Sequence, residues 1–285
     1  MQSKLNLEIY EDLPGFKAVV EEFLLRHEAE NSLFLGLLDM LQTRPNSYGL
    51  ILARVALNGI TVSAAFHTGH SLILTRGDDA SIKLVVSYLS RREPKLSGIV
   101  GPSASSDLFK DYWVKTQNCL IRSAVHQRIY SLLSVVPPKP VAGSMRLAEE
   151  ADVPLVQEWL LMFHQEALPH EFYTREVALA TAQRMVHEKR LFLWMVGGQP
   201  VSMTGLSRPT QNGISVNAVY TPAEERRRGY ASAIVATVSQ HGLDMGKKFT
   251  VLYTDMANPT SNSIYMKIGY EPVCDSRNYW FKYIQ

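Results

Sequence analysis

The sequence predicts an α/β fold of the α+β type, built as two domains that each contain a mixed, mostly antiparallel sheet flanked by helices. Two observations lead to this prediction. The chain has 285 residues, more than one hydrophobic core usually supports. Strand-like and helix-like segments also follow one another in nearly the same order in both halves of the chain.

A proline-rich segment, VVPPKPVAG at 135–143, separates the two halves. Three of the four residues at 137–140 are prolines. Prolines cannot continue a helix or a central strand, and they favour a stiff extended connector. We therefore expect a first domain at residues 1–136 and a second domain at residues 143–285.

Apolar periodicity and turn motifs define the elements of the first half. An early strand leads into a helical region, and three strands follow around the turns LNG and TGH. The predicted strands lie at 5–11, 50–57, 60–68, 70–75, 96–102 and 125–133, and the predicted helices at 15–42, 79–93 and 105–116.

The second half begins with a short strand and a helix within 143–168, for which Asp152 is the expected N-cap. The turn-like sequences GGQP and PTQNG separate three later strands, so these strands should be antiparallel neighbours. An amphipathic helix after them should stop at Gly246. The later strands are predicted at 191–198, 200–209, 213–221, 249–256 and 278–284, and the later helices at 174–190, 231–245 and 258–270.

Composition limits the functional classes. The chain is 46% hydrophobic and 20% charged, as in ordinary globular proteins, and its net charge of +2 argues against a nucleic-acid-binding surface. Its two cysteines, Cys119 and Cys274, are too few for a disulfide framework. The first residues have no signal-peptide core, and no apolar stretch reaches the roughly 18 residues of a membrane span. We expect a cytoplasmic protein without membrane or nucleic-acid partners, and the oligomeric state stays open.

The turn EERRRGYASA at 224–233 lies between an apolar strand and an amphipathic helix. The first N–H groups of a helix have no intrahelical partners, and together with the helix dipole they form an anion site. Gly229 permits positive φ and a close approach by phosphate, Ala231 keeps the next turn position small, and three arginines add charge. The turn therefore predicts a phosphate site, the alternative being a solvated charge run.

A second motif follows the next strand, with the pattern Asn258-x-x-Ser261-x-x-x-Tyr265-x-x-x-Gly269-Tyr270. Asn258 should cap a helix that ends at Gly269, and Ser261 and Tyr265 should share one face. The two motifs, in this order and at this separation, resemble those of the GNAT superfamily of N-acetyltransferases. The resemblance covers residues 143–285, while the first half resembles the same fold only in the order of its elements.

The resemblance implies that acetyl-CoA is the acyl donor and that a primary amine, on a small molecule or a peptide, attacks it directly in a ternary complex. Tyr265 is then expected near the sulfur atom as a catalytic acid. The residues implied in cofactor binding are Val219, Tyr220 and Thr221 on the strand, Arg226, Arg227, Arg228, Gly229, Tyr230, Ala231 and Ser232 in the turn, and Asn258, Ser261 and Asn262 on the later helix.

The general base is less well defined. Some members of the superfamily place a glutamate on the strand before the arginine turn, but GISVNAVYT has no acid. The segment MFHQEALPHEFYT should border the acceptor site, and we select Glu166 there over His164, His170 and Glu171. A water relay or an amine that arrives neutral stays open. The sequence His164-Gln165-Glu166 resembles a fragment of a zinc deaminase, but Pro-Cys-x-x-Cys is missing, so no metal is expected.

Two other functions stay open. One is a tandem-GNAT acyltransferase of the mycothiol-synthase or aminoacyl-transfer type, although a net charge of +2 argues against a charged RNA as donor. The other is a non-catalytic acetyl-CoA sensor or interaction module. The first half reaches its helix through TRGDDAS, with acids where phosphate would bind, so one acetyl-CoA per chain is expected.

Overall fold

The computed structural model describes residues 4–43, 51–67, 71–92, 95–167 and 173–284. The chain divides into two compact units, Met1–Ile129 with Val273–Gln285, and Tyr130–Pro272. In the described part of the chain, no helix combines the length and the apolar character needed to cross a membrane.

The first unit is a sheet between two helical layers. Its strand order is β1-β2-β3-β4-β5-β12-β6. The first four strands are antiparallel neighbours, β4 and β5 are parallel, and β5 and β12 are antiparallel. The elements are β1 (Leu5–Tyr10), α1 (Leu13–Leu25), α2 (Ser32–Thr43), β2 (Ile51–Leu57), β3 (Ile60–His67), β4 (Ser71–Leu74), α3 (Asp79–Arg92), β5 (Gly98–Pro102), α4 (Ser103–Gln117), β6 (Cys119–Leu132) and β12 (Glu271–Tyr283).

The second unit has the strand order β11-β10-β9-β8-β7. Strands β7 to β10 are antiparallel neighbours, and β10 and β11 are parallel. The elements are β7 (Ser144–Leu147), α5 (Val153–Ala167), α6 (Arg175–His187), β8 (Leu191–Val196), β9 (Gln199–Ser207), β10 (Gly213–Tyr220), α7 (Tyr230–Asp244), β11 (Phe249–Asp255) and α8 (Pro259–Lys267).

Successive side chains of a strand point to opposite faces of the sheet, and in this second sheet both faces carry apolar side chains. Leu206 and Ile214 pack against α7 through side chains such as Ile234. Leu193 and Met203 belong to the opposite cluster, with buried residues of α5 and α6. The sheet is therefore covered on both sides, with α7 on one face and the pair α5 and α6 on the other.

The predicted fold class is confirmed, including the antiparallel strands β8, β9 and β10. Both units contain the same series, in which three antiparallel pairs are followed by one parallel pair. The repeat is therefore one of topology.

The division of the chain differs from the predicted boundary at 136–143. The first unit ends at Ile129 and takes back Val273–Gln285 from the end of the chain. The reason is a long-range pairing, because Ser276–Trp280 of β12 lie antiparallel to Gly98–Pro102 of β5. Tyr279 and Phe281 of β12 are buried in the same cluster as α3 and α4.

Local differences from the predicted elements are small. Strand β12 begins at Glu271, seven residues before the predicted 278. Asp152 does not cap α5 in the expected way. Its carboxylate accepts the Glu149 N–H in a capping box at a 3₁₀ turn, and it is held by Arg146 at 2.6 Å.

Candidate active site

The parallel strands β10 and β11 separate before they end. Their paired residues are Gly213–Ser215 with Phe249–Val251, and the pairing stops there although β10 continues to Tyr220 and β11 to Asp255. All of these residues lie in the described part of the chain. The carboxyl-terminal halves of the two strands therefore leave backbone groups available between them, as an added extended chain requires.

A β-bulge lies on β10 in this open region. Asn217 is opposite Gly205 and Tyr220 is opposite Met203, so two residues of β10 face one residue of β9. Ala218 adopts φ 50°, which is unusual for a residue with a Cβ atom. The bulge changes the orientation of the backbone at Ala218 and Val219, where the predicted pantetheine-binding stretch Val219–Thr221 begins.

The arginine turn leads directly into α7. Gly229 is its N-cap residue with φ 87° and ψ 0°, and no side chain caps the helix. A Cβ atom at Gly229 would lie 2.8 Å from Cγ1 of Val141, so close packing as well as φ favours glycine there. Because the first amides of α7 have neither intrahelical nor side-chain partners, they form an anion-binding end.

The three arginines of the turn differ in their partners. Arg226 donates to the Thr221 carbonyl at 2.9 Å and pairs with Glu166 at 2.6 Å. Arg228 pairs with Glu225 at 3.0 Å. Arg227 is exposed, adopts φ 63° and makes no ion pair with another described residue. Arg227 is therefore the arginine most available to an external anion.

The structure brings the predicted base Glu166 into contact with two predicted cofactor residues. Glu166 accepts from Arg226, and the Tyr220 hydroxyl donates to it at 3.4 Å. The guanidinium of Arg226 also lies over the Tyr220 ring, 5.8 Å from its centroid. Burial raises the pKa of Tyr220, so its phenol stays protonated and can act as a donor to Glu166.

The other base candidates are placed differently. The imidazole of His164 stacks on Tyr173 with 3.4 Å between ring centroids, and burial lowers its pKa to about 4. His164 is therefore neutral at pH 7 and a weak base. His170 and Glu171 lie outside the described residues.

The amino-terminal turn of α8 is held by its own side chains. Asn258 Oδ1 accepts the Ser261 N–H at 3.0 Å, which confirms the predicted N-cap. The Asn262 amide donates to the Asp255 carbonyl at 2.9 Å and accepts from the Tyr130 hydroxyl at 3.0 Å. Asn262 therefore fixes α8 to the end of β11, while Ser261, the preceding residue of the helix, is half-buried.

Tyr265 lies one helical turn after Ser261 and is only 8% exposed. Its ring belongs to the cluster that contains Tyr230, the first residue of α7, and it meets Tyr270 edge to face at 6.0 Å. The Tyr265 hydroxyl forms no hydrogen bond with another described residue. Burial raises the pKa of this phenol above its ordinary value, so it stays protonated at neutral pH.

In the equivalent turn of the first unit, acidic side chains of the same unit already bind both the start of the helix and the arginine of the turn. The Asp78 carboxylate accepts the Ser81 N–H at 2.9 Å at the start of α3. Arg76 forms a close ion pair with the buried Glu30. Among the described residues, no group of three or more His, Cys, Asp and Glu side chains is placed to hold a metal ion.

Residues 153–270 match the model of the acetyltransferase (GNAT) family. No curated protein matches the chain. Solved structures that resemble it include a GCN5-related N-acetyltransferase from Sphaerobacter thermophilus, with 15% identity, a TM-score of 0.63 and coverage of 98% of this chain and 95% of that one. A GNAT-family acetyltransferase from Colwellia psychrerythraea has 10% identity, a TM-score of 0.60 and coverage of 97% and 100%.

A tandem GNAT protein from the clavulanic acid biosynthesis pathway is also similar, with 12% identity, a TM-score of 0.57 and coverage of 98% of both chains. At these identities the likeness shows the fold alone, and it extends over both units. The match to the acetyltransferase (GNAT) family model covers residues 153–270, which contain the diverging strands β10 and β11.

Proposed function

We propose that the second unit is an acetyl-CoA-dependent N-acetyltransferase that moves an acetyl group to a primary amine by direct attack in a ternary complex. The observation that carries the proposal is the separation of β10 from β11 directly before the uncapped start of α7. This arrangement offers free backbone groups and an anion site in series, as a long cofactor with an amide-containing arm and a pyrophosphate requires.

The residues present fit acetyl-CoA. The backbone of Val219, Tyr220 and Thr221 would pair with the pantetheine arm, and the turn from Arg226 to Ser232 would hold the pyrophosphate. Within that turn, Tyr230 contributes its backbone N–H, because its side chain is buried in the core. Asn258, Ser261 and Asn262 contribute by fixing the start of α8 beside the open strands. When bound, the thioester supplies an activated acetyl group.

Tyr265 is proposed as the catalytic acid. The thiolate that leaves the thioester is strongly basic, and a phenol kept protonated by burial can donate a proton to it. The Tyr265 hydroxyl has no described partner of its own, so no existing hydrogen bond has to be broken first. This combination of burial and an uncommitted donor supports a catalytic role over a packing role.

Glu166 is proposed as the base that accepts the proton of the amine, either directly or through water. Its pair with Arg226 is about half exposed, with exposed side-chain fractions of 50% and 43%. Such pairs are worth about 0–1 kcal/mol. A pyrophosphate at Arg226 can therefore displace Glu166, which would free the carboxylate only after the cofactor has bound.

The test is release of thiol from acetyl-CoA with a panel of amines, polyamines, amino acids and peptides. Turnover with at least one amine, and acetylated product by mass spectrometry, would support the proposal. Acetyl-CoA binding without turnover would favour the sensor or interaction module, and transfer only to thiols or from an aminoacyl donor would favour the rival acyltransferases. A cytoplasmic location without nucleic-acid or membrane partners stays a prediction.

A further inference from the structure

Arg208, in the second unit, is a cation without a counter-ion among the described residues. It directly follows β9 and adopts φ 44°, a backbone conformation that costs energy for an arginine. Its Nε atom is buried and has no hydrogen-bond partner. No acid among the described residues forms an ion pair with it, and burial lowers the pKa of its guanidinium, which nevertheless stays charged.

Other arginines in the described chain show that this is unusual. Arg54, with a side chain only 11% exposed, pairs with Glu8, and Arg277, 18% exposed, lies 3.9 Å from Asp107. Arg208 is half-buried, and a charge that loses part of its hydration without gaining an ion pair destabilises a protein. The arrangement is explained if an anion from outside the chain completes it.

Three further polar atoms without partners line the same face of β9 and β10. They are Ser207 Oγ, Ser215 Oγ and Asn217 Oδ1, and all three are buried. Ser207 and Ser215 are directly opposite each other, and Asn217 lies two residues further along β10, opposite Gly205. Residues two apart on a strand share a face, so the three side chains form one row.

This face is the one covered by α5 and α6. A Cβ atom at Gly205 would lie 2.5 Å from Cε of Met185 in α6 and 2.8 Å from Oδ1 of Asn217. The guanidinium of Arg208 interacts electrostatically with Tyr253. Tyr253 lies two residues beyond Val251, the partner of Ser215, and so points to the same face. Arg208 and the row of polar atoms therefore belong to one region.

We propose that Arg208, Ser207 and Ser215 bind a carboxylate group of the acceptor, so that the acceptor is an amino acid or another amine with a carboxylate. A carboxylate has about four lone-pair sites. The fork of a guanidinium satisfies two of them, and two serine hydroxyls satisfy the others. This inference rests on the proposed acetyltransferase activity and specifies its substrate class.

A carboxylate fits these donors better than a phosphate does, because a phosphate has more oxygens to satisfy and commonly binds at a helix amino terminus. Asn217 Oδ1 is an acceptor beside the donors. It would receive an N–H group of the same ligand, which an amine-bearing carboxylate supplies.

The experiment measures kcat/KM for matched acceptors, each supplied as the free acid, the primary amide and a phosphate analogue. The full-length wild-type chain and the variants Arg208→Gln and Arg208→Lys are each assayed with all three forms. We expect the wild type to prefer the acid over the amide at least tenfold in kcat/KM. Arg208→Gln should abolish this preference by lowering kcat/KM for the acid, and Arg208→Lys should retain part of it. The surface variant Arg26→Gln, at the residue directly after α1, is the control and should behave as the wild type.

Acetylation without a preference for the acid, or with a preference for the phosphate, would overturn the carboxylate site while leaving the acetyltransferase proposal intact. If no amine is acetylated, thermal unfolding decides the anion site separately. Millimolar carboxylates should raise the Tm of the wild type but not of Arg208→Gln, and equal shifts would refute the site. Because Arg208→Gln removes a half-buried charge that has no ion pair with a described residue, it should fold at least as stably as the wild type.

Discussion

Replacing Tyr265 with phenylalanine removes one oxygen atom and keeps the ring. The ring is buried and packs edge to face on Tyr270, so the core around α7 should stay filled. The hydroxyl has no described hydrogen-bond partner, so its loss leaves no buried group unsatisfied. We therefore expect the free energy of unfolding to change by less than about 1 kcal/mol.

The effect on catalysis should be much larger. General-acid catalysis typically contributes about 10²–10⁴-fold, and each factor of ten corresponds to about 1.4 kcal/mol in the barrier. Tyr265→Phe should therefore lower kcat by that factor, about 3–5 kcal/mol, with little change in the affinity for acetyl-CoA. The assay is thiol release at saturating acceptor, together with calorimetric titration of the cofactor.

Tyr270→Phe is the matched control, because the neighbouring Tyr270 hydroxyl forms hydrogen bonds whereas the Tyr265 hydroxyl forms none with a described residue. The Tyr270 hydroxyl lies 2.9 Å from Ser239 Oγ and 2.8 Å from Thr250 Oγ1, both buried. Its removal should cost about 1–3 kcal/mol of stability and leave the chemical step intact. Near-normal kcat for Tyr265→Phe, or an equal loss in both variants, would refute the assignment of Tyr265 as the acid.

Three further predictions follow from the site. Gly229→Ala should weaken acetyl-CoA binding at least tenfold, about 1.4 kcal/mol. Gly246, at the other end of α7, has φ 88° and nothing near its Cβ position, so Gly246→Ala should only destabilise the fold. Equal acetyl-CoA affinities of the two variants, measured by calorimetry, would contradict this. Titration should give one acetyl-CoA per chain, and two would disprove it. Burial raises the pKa of Tyr270 and of Tyr279 to about 12 in the folded chain. Because these phenols ionise near pH 10 when unfolded, the free energy of unfolding, measured with urea, should fall as pH rises from about 10 to 12. The fall should be less steep in Tyr270→Phe.

Features encoded within a few residues were predictable from the sequence. A strand, three arginines and a glycine before an apolar helix predict a turn with positive φ, and Gly229 has φ 87°. Asn258 followed by Pro259 predicts a capped helix, and the Asn258 side chain caps α8. In both cases the backbone conformation depends on the residue that adopts it and on its immediate neighbours.

Features that depend on distant pairing were not predictable in this way. The bulge at Ala218 places an ordinary alanine at φ 50°, and no local pattern indicates it. The pair of Glu166 and Arg226 joins residues 60 positions apart. The assignment of β12 to the first unit depends on its register with β5. That Arg208 has no counter-ion among the described residues is recognisable only from the structure around it, because the sequence Ser207-Arg208-Pro209 is typical of an ordinary turn.

The two units show that this fold does not by itself define an anion site. In each unit, the first strand of a parallel pair leads through a turn into a helix, and the second strand follows that helix. The starts of the two helices differ in charge. At α7 the N-cap is a glycine without a side chain. At α3 the carboxylate of Asp78 accepts the Ser81 N–H, and hydrogen bonds with Ser81 hold its pKa below the ordinary value, so a negative charge already occupies the place of a phosphate. The only arginine of the turn in the first unit, Arg76, is neutralised by Glu30, whereas Arg227 in the second unit is exposed and has no ion-pair partner among the described residues. The identity of the N-cap residue, and whether an arginine keeps its charge uncompensated, therefore decide which copy of the fold can bind an anionic cofactor.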